Sequence, residues 1–338
     1  MVESQAVIIP PAEAAMFLVV TLTPGREEAV RELLADVSGL YRSVSFRAPH
    51  DGLNCVVGIG SKAWDRLFGG PRPQGLHPFV ELAGDRHRAP ATQGDLLFHV
   101  RARRMDLCFE LTRLITDRLR DAVKVVDEVH GFRYFDERDL LGFVDGSENP
   151  EGATAADAVF VGEEDPEFTG GSYVIVQKYV HDMPAWNALR AEDQEAVVGR
   201  TKADNIELSD EVKPADSHVA LTVVTDADGN ERKIVRENMP FGSLAEGELG
   251  TYFIGYARTP DVTEQMLRNM FLGDGEAAYD RILDFSTAVT GCLFYVPTAT
   301  FLDDLPAAPG STTAQAADDG GHGERGGEDQ DLVPVRAP

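Results

Sequence analysis

The spacing of apolar positions changes period repeatedly along the chain, and each change predicts an element. Residues 16–23, MFLVVTLT, form a β-rich apolar run closed by Pro24-Gly25, and within 26–37 the positions Ala29, Val30, Leu33, Leu34 and Val37 fall on one helical face. A strand followed by a helix is expected. Residues 53–59 read as a second strand, and Ser61 caps a short helix through Trp64, Leu67 and Phe68, which Gly69-Gly70-Pro71 ends. A loop over 71–94 follows. Residues 95–101 then alternate, 105–119 carry Leu107, Leu111, Leu114 and Ile115 at helical spacing, and 123–126 form the last strand of this half.

The second half repeats the order. Residues 172–180 predict a strand and 185–189 a helix, like the opening at Met16. Residues 251–257 predict another strand, after which Thr259-Pro260 opens a helix that turns Val262, Met266, Leu267, Met270 and Phe271 inward. Gly94-Asp95 and Gly250-Thr251 start matching strands alike, so a weak internal duplication of α+β units is expected. The halves meet at residues 142–150, GFVDGSENP, and a polar connection over 151–171 leads into the second. Gly142 and Gly146 flank Asp145, and Pro150 stops any helix from running through. An Asp between glycines is commonly a turn former, yet this one lies at a domain junction, where ligand sites concentrate.

Length and charge narrow the picture. The chain of 338 residues has room for two domains and carries a formal net charge of −26. Beyond Leu305 there are six acids against two bases, which leaves −22 on the first 305 residues. A body this acidic repels nucleic acid and anionic membranes, and any anionic ligand needs a local basic pocket. Cys55, Cys108 and Cys292 are scattered and odd in number, which argues for a reducing compartment and against a cysteine zinc site or covalently attached haem. The N-terminus has neither a secretory nor a twin-arginine pattern, and no apolar run reaches the ~18–20 residues of a membrane span, so a cytoplasmic protein is expected. Residues 306–338 form an acidic linker too poor in large apolar residues to order itself, ending in an apolar segment at 331–338 suited to docking in a groove.

The eight histidines show no metal-site spacing. His218 stands out because it directly precedes the run 219–224, VALTVV, which reads as a buried strand with an imidazole at its mouth. It is either an ordinary core-edge histidine or a single axial metal ligand. Residues 225–230 then turn the chain and 233–236 return as the second arm of a hairpin. The acids there mimic a calcium loop, but Glu231 occupies the position that needs glycine, so calcium is rejected. Arg236 and Asn238, two residues apart in an extended segment, share a face.

Gly142-Phe-Val-Asp145-Gly146, then His218, then Arg236-Glu-Asn238 together resemble the dye-decolourising peroxidase family, and more closely its short bacterial B-type branch. The resemblance covers residues 12–305, including the segment 58–66. It implies a duplicated ferredoxin-like α+β fold, each unit a four-stranded antiparallel sheet with helices packed on it. The expected division is an extension over 1–11, units over 12–145 and 146–305, and the tail over 306–338. It also implies a non-covalent haem b held mainly by the second unit. On this reading His218 is the proximal iron ligand and Asp145, Arg236 and Asn238 are the distal catalytic group. Asp280 is the anionic partner of His218, with Asp284 in reserve, and Arg200 and Lys202 are assigned to the haem propionates. The implied activity uses hydrogen peroxide to oxidise bulky aromatic donors such as dyes, phenols and lignin-like compounds, or Mn(II), by one-electron steps through a ferryl intermediate. A haem carrier or sensor without efficient turnover is the competing reading. The branch is packaged in encapsulin shells through C-terminal peptides, which makes the tail a candidate shell ligand, although 331–338 is not the usual docking peptide. A homo-oligomer is expected.

Overall fold

The computed structural model describes residues 2–310; the expected docking segment at 331–338 and the linker from 311 onward lie outside the described residues. The first half runs β1 (Ala14–Leu22), α1 (Glu27–Ser45), β2 (Asn54–Gly60), α2 (Ser61–Leu67), a small ladder of β3 (Leu82–Ala83) and β4 (Arg88–Ala89), β5 (Leu96–Ala102), α3 (Met105–Leu119) and β6 (Val123–Phe132). Its main strands lie antiparallel in the order β6-β1-β5-β2. The second half begins with α4 (Gly152–Val159), β7 (Ser172–His181), α5 (Met183–Asn187), α6 (Ala191–Val198) and α7 (His218–Thr222). Short strands β8 (Val224–Thr225), β9 (Glu231–Arg232), β10 (Val235–Arg236) and β11 (Met239–Ser243) follow, then β12 (Glu248–Ala257), α8 (Pro260–Leu272), β13 (Ser286–Ala288), β14 (Cys292–Val296) and α9 (Ala299–Asp303). Here β14-β7-β12 repeats the order of the last, first and third strands, with β10 and β11 on the far side of β12.

These are two ferredoxin-like units, and β14 pairs with β2 to join them in one ten-stranded sheet. Both faces of that sheet are buried, which is why β1 reads as a continuous apolar run rather than an alternating one. Met16, Leu18 and Val20 pack under the helices with Val30, Leu34, Leu111 and Ile115. Ala15, Phe17 and Val19 face the other way, toward Val7, α4 and the β10–β12 rim. On this second face β11 lies against β6 so closely that a Cβ at Gly131 would come within 2.6 Å of Met239 Cβ. The first residues are part of the body: Gln5 is buried, its Nε2 donates to Val57 O and Pro297 O, and its Oε1 accepts from Val57 N–H. At the other end Pro306 O and Ala307 O accept from Arg31 and Gly69, so the linker leaves the body a few residues later than its composition suggests. No helix among the described residues is long and apolar enough to cross a membrane.

Several local expectations are corrected. The run 219–224 is the helix α7 rather than a strand, because Leu221 is buried against α8, Asn269 of α8 donates to Leu221 O, and Thr222 Oγ1 donates to His218 O. Packing overrides the β preference of Val and Thr there. The hairpin after residue 225 closes at β9; Val235 and Arg236 turn away and pair with Tyr256 and Gly255 of β12. Ser61 is the first helical residue of α2, with Gly60 as its cap. The connection over 151–171 contains α4, and β6 continues to Phe132 as the edge strand.

Candidate active site

The loop at the junction is stiff for the reasons its sequence suggests. Gly142 has φ +93° and Gly146 φ +82°, a region that a Cβ disfavours, and a Cβ on Gly142 would also come within 2.5 Å of Lys202 Cε. Phe143 N–H donates to Asp139 Oδ1 at 3.0 Å, and Asp145 N–H donates to Glu137 O at 2.9 Å. Asn149 then fastens the loop to β10: its Nδ2 donates to Arg236 O at 2.6 Å and its Oδ1 accepts from Arg236 N–H at 2.9 Å. The side-chain amide takes the place of a neighbouring strand for one residue. It thereby sets the loop carrying Asp145 beside the strand carrying Arg236 and Asn238.

Alternation along that strand decides which side chains meet. Glu237 N–H donates to Ile254 O, and the Glu237 carboxylate turns away to the buried Arg101, while Arg236 and Asn238 line a cavity. Asn238 Oδ1 accepts from Ile254 N–H at 3.0 Å, so its amide cannot flip without losing a backbone partner. Its Nδ2 therefore faces Asp145 and donates to Oδ2 at 2.9 Å. The Arg236 guanidinium has no hydrogen bond or ion pair with any described residue. A strongly acidic chain thus keeps one cation unpaired beside a carboxylate and an oriented amide.

The opposite wall is built by α7. His218 Nδ1 lies 2.7 Å from Asp280 Oδ2, and Asp280 is fully buried, its Oδ1 accepting from Ile282 N–H at 2.9 Å. A carboxylate only accepts, so Nδ1 carries the proton and Nε2 presents its lone pair. Asp284, the reserve candidate, instead meets His87, Tyr279 and Arg86. A second histidine, His181, lines the same cavity, but its Nδ1 is 2.8 Å from Ser286 Oγ and its Nε2 3.0 Å from Thr251 Oγ1. Burial pulls its pKa down to about 4, so it is neutral with both nitrogens engaged. Among the described residues that line this cavity, only His218 offers a free ring nitrogen.

Between these walls lies a cavity of about 470 Å³, within the usual range of small-molecule sites of roughly 300–1,000 Å³. Its apolar lining includes Leu141, Phe143, Ile234, Phe253, Leu267 and Met270. Asp145, Arg236 and Asn238 also border a second cavity of about 580 Å³ behind the loop, walled partly by residues 8–12. Arg200 reaches the first cavity, where its Nη1 is 3.0 Å from Glu148 and its Nε donates to Asn205 Oδ1. Lys202 does not line it: the chain turns at 202–204, and Nζ donates to Gln194 Oε1 at 2.6 Å behind the loop, 5.4 Å from the Phe143 ring centroid. Desolvation lowers the Lys202 pKa there.

The Dyp-type peroxidase N-terminal family matches residues 4–133, and the C-terminal family matches 136–301. The chain belongs to the Dyp-type peroxidase family. This peroxidase is 62% identical over 305 residues to a dye-decolorizing peroxidase of Rhodococcus erythropolis, covering 90% of this chain and 89% of that one. In structure it is similar to an encapsulated DyP-type peroxidase from Mycobacterium smegmatis, with a TM-score of 0.90, 59% identity, and coverage of 91% of this chain and 100% of that one. A DypB variant from Rhodococcus jostii RHA1, solved in complex with heme, superposes with a TM-score of 0.88 at 55% identity, covering 90% of this chain and 99% of that one.

Sequence reasoning about this peroxidase missed three residues. Asn149 stands in the loop motif, but its partner is a backbone 87 positions away, which no local signal identifies. His181 ends a strand with nothing to mark it as cavity-lining. Asp139 lines the cavity, and although the residue as a whole is half-buried its carboxyl is enclosed. Desolvation raises its pKa to about 7; the Phe143 N–H opposes that shift and the neighbouring Asp145 charge adds to it.

Proposed function

We propose that this peroxidase holds a non-covalent haem b in the 470 Å³ cavity, with His218 Nε2 as axial ligand, and uses hydrogen peroxide to oxidise bulky aromatic donors by one-electron steps. The observation that carries the reading is the His218–Asp280 pair at 2.7 Å, which leaves a lone pair facing an apolar cavity from a fully buried anionic partner. The site fits the group in three ways: an available nitrogen, apolar walls, and Arg200 at the edge for a propionate. The assignment of propionates is restricted to Arg200. The heme complex of the R. jostii relative supports the same cofactor.

When bound, the haem supplies an iron centre that exchanges electrons with peroxide and with the donor. Asp280 draws positive character onto the His218 ring and makes it a stronger electron donor. On the other side, Asp145 accepts the proton from the near oxygen of peroxide at its carboxylate and returns it to the far one. Arg236 stabilises negative charge at the departing oxygen, and Asn238 orients peroxide by the donor that Ile254 holds in place. Because Asp145 Oδ2 is engaged by Asn238 while the Arg236 guanidinium is unpaired among the described residues, Arg236 carries the larger share. A haem carrier or sensor needs only His218 and a cavity, and would gain nothing from the Asp145–Asn238 pair.

Haem titration followed by peroxide mixing tests the proposal. Wild type forms an intense Soret band, His218→Ala does not form the same band, and Arg236→Leu keeps it while reacting with peroxide about 10²–10³-fold more slowly. An identical band in His218→Ala, or full peroxide reactivity in Arg236→Leu, overturns it. The encapsulated M. smegmatis relative and the acidic tail further support packaging of this peroxidase in a cytoplasmic protein shell through residues beyond 310.

A further inference from the structure

Among the described residues Arg101 is the one arginine with no exposure at all, and nothing in the mechanism above uses it. It sits on β5 of the first unit, cross-strand from Asn54, in the layer between the sheet and the β10–β12 rim. Its two terminal nitrogens are gripped, while Nε finds no partner among the described residues. Nη2 donates to Asn54 Oδ1 at 3.0 Å and to Ala6 O at 2.9 Å, both terminal nitrogens approach Val7 O, and Nη1 is paired with the Glu237 carboxylate. Burial lowers the Arg101 pKa only to about 10, so the side chain is charged at neutral pH. Glu237 is the residue between Arg236 and Asn238. The first unit and the N-terminal segment therefore hold the second unit's distal strand from behind, at the residue between its two distal side chains.

A buried ion pair is a poor source of stability compared with apolar residues of similar volume, so its presence calls for a reason beyond packing. Here the fork geometry of the guanidinium restricts the direction of its acceptor. β10 and β11 are short, and Glu237 lies between them, bonded to β12 only through Ile254 O. Without the pair, the strand keeps its ladder and the Asn149 clamp at Arg236 but loses the restraint that the first unit places on Glu237.

We propose that Arg101 and Glu237 are positioning residues for peroxide chemistry, setting the aim of Arg236 and Asn238 through the backbone of β10 and β11. This rests on the distal reading given above. It assigns the N-terminal segment a part in the site, because the carbonyls of Ala6 and Val7 complete the cradle of Arg101.

The test compares Glu237→Gln, which keeps the shape and removes the charge, and Asn54→Ala, which loosens Arg101 from a point remote from the cavity. Tyr295→Phe serves as a control that removes a buried hydrogen bond, to Phe168 O, in the core on the other face of the sheet. Three quantities are read: amide exchange over 235–243 in the haem-free protein, fluoride affinity of the haem-loaded ferric protein, and the peroxide rate constant per bound haem. Both positioning variants are expected to speed exchange in 235–243. They are also expected to lower fluoride affinity and peroxide rate by about tenfold or more, since misplacement by about 1 Å costs on the order of 10²-fold. Tyr295→Phe is expected to lower the melting temperature and leave the per-haem values unchanged. The proposal is overturned if the variants melt lower yet match wild type in fluoride affinity and peroxide rate. If Glu237→Gln does not fold, Asn54→Ala alone decides by the same readouts. Should wild type bind no haem, the cofactor reading fails by itself, and exchange over 235–243 still decides whether the pair restrains the strand.

Discussion

His218 and His181 line the same cavity, and the groups beside them assign them different chemistry. A buried carboxylate orients His218 and leaves Nε2 available, whereas two hydroxyls occupy His181. The depressed pKa of His181 makes a pH prediction. A group whose folded pKa lies below its unfolded value contributes stability above about pH 6.5 and loses it as pH falls toward about 4. The haem-free protein is expected to lose about 3 kcal/mol over that window through this residue, and His181→Gln to flatten that part of the stability curve measured by urea unfolding. An unchanged acid limb in His181→Gln would show that the imidazole titrates elsewhere. The residue types of the site were legible in the sequence: Asp145 between glycines, Arg236 and Asn238 two apart, His218 before an apolar run. Their hydrogen bonds were not, because each depends on a backbone group from a distant segment.

Elements place these side chains, and two of them differ from the pattern of their residues. α7 is a helix because it packs against α8 with Leu221 buried, and α8 supplies a donor for the Leu221 carbonyl; this puts His218 at the first turn, within reach of Asp280. β10 leaves its hairpin because β12 offers it a ladder. Periodicity registers neither event, since both depend on what happens to lie alongside. The loop over 142–150 is the reverse case: its glycines take the positive φ that its composition suggests. Asn149 supplies what the glycines cannot, a fixed distance to β10. Asn149→Ala removes two hydrogen bonds to the Arg236 backbone and is expected to cost about 1–3 kcal/mol in urea unfolding. It should also slow peroxide consumption more than haem binding; retention of full peroxide rates would show that the loop holds its place without the clamp.

Across the whole molecule, duplication and charge were readable and assembly was not. The repeated order of strands and helices follows from the alternating periods, and it appears as two four-stranded arrangements. That they share one sheet through β14 and β2, and that residues 5–7 and 306–307 are tied to its body, is decided by contacts between sequence-distant segments. The tail prediction is framed by this: deletion from residue 311 leaves the bonds of Pro306 and Ala307 intact. Truncation there is expected to leave melting temperature and haem content unchanged and to abolish co-purification with a co-expressed shell protein. Packaging that survives the truncation would place the shell contact on the body.

The sequence by itself determined the local quantities: which stretches are strand or helix by period, apart from α4, α7 and β10, where the chain must turn, how acidic the body is, and which few residues carry unusual chemistry. Those depend on neighbours a few positions away. Tertiary structure alone decided that Asn238 faces Asp145, that both nitrogens of His181 are engaged while His218 Nε2 is free, that Lys202 turns to Gln194 behind the loop, and that Arg101 stands behind Glu237. Each of these is a choice among hydrogen-bond partners, and a buried polar group takes whichever partner the fold brings within about 3 Å of it.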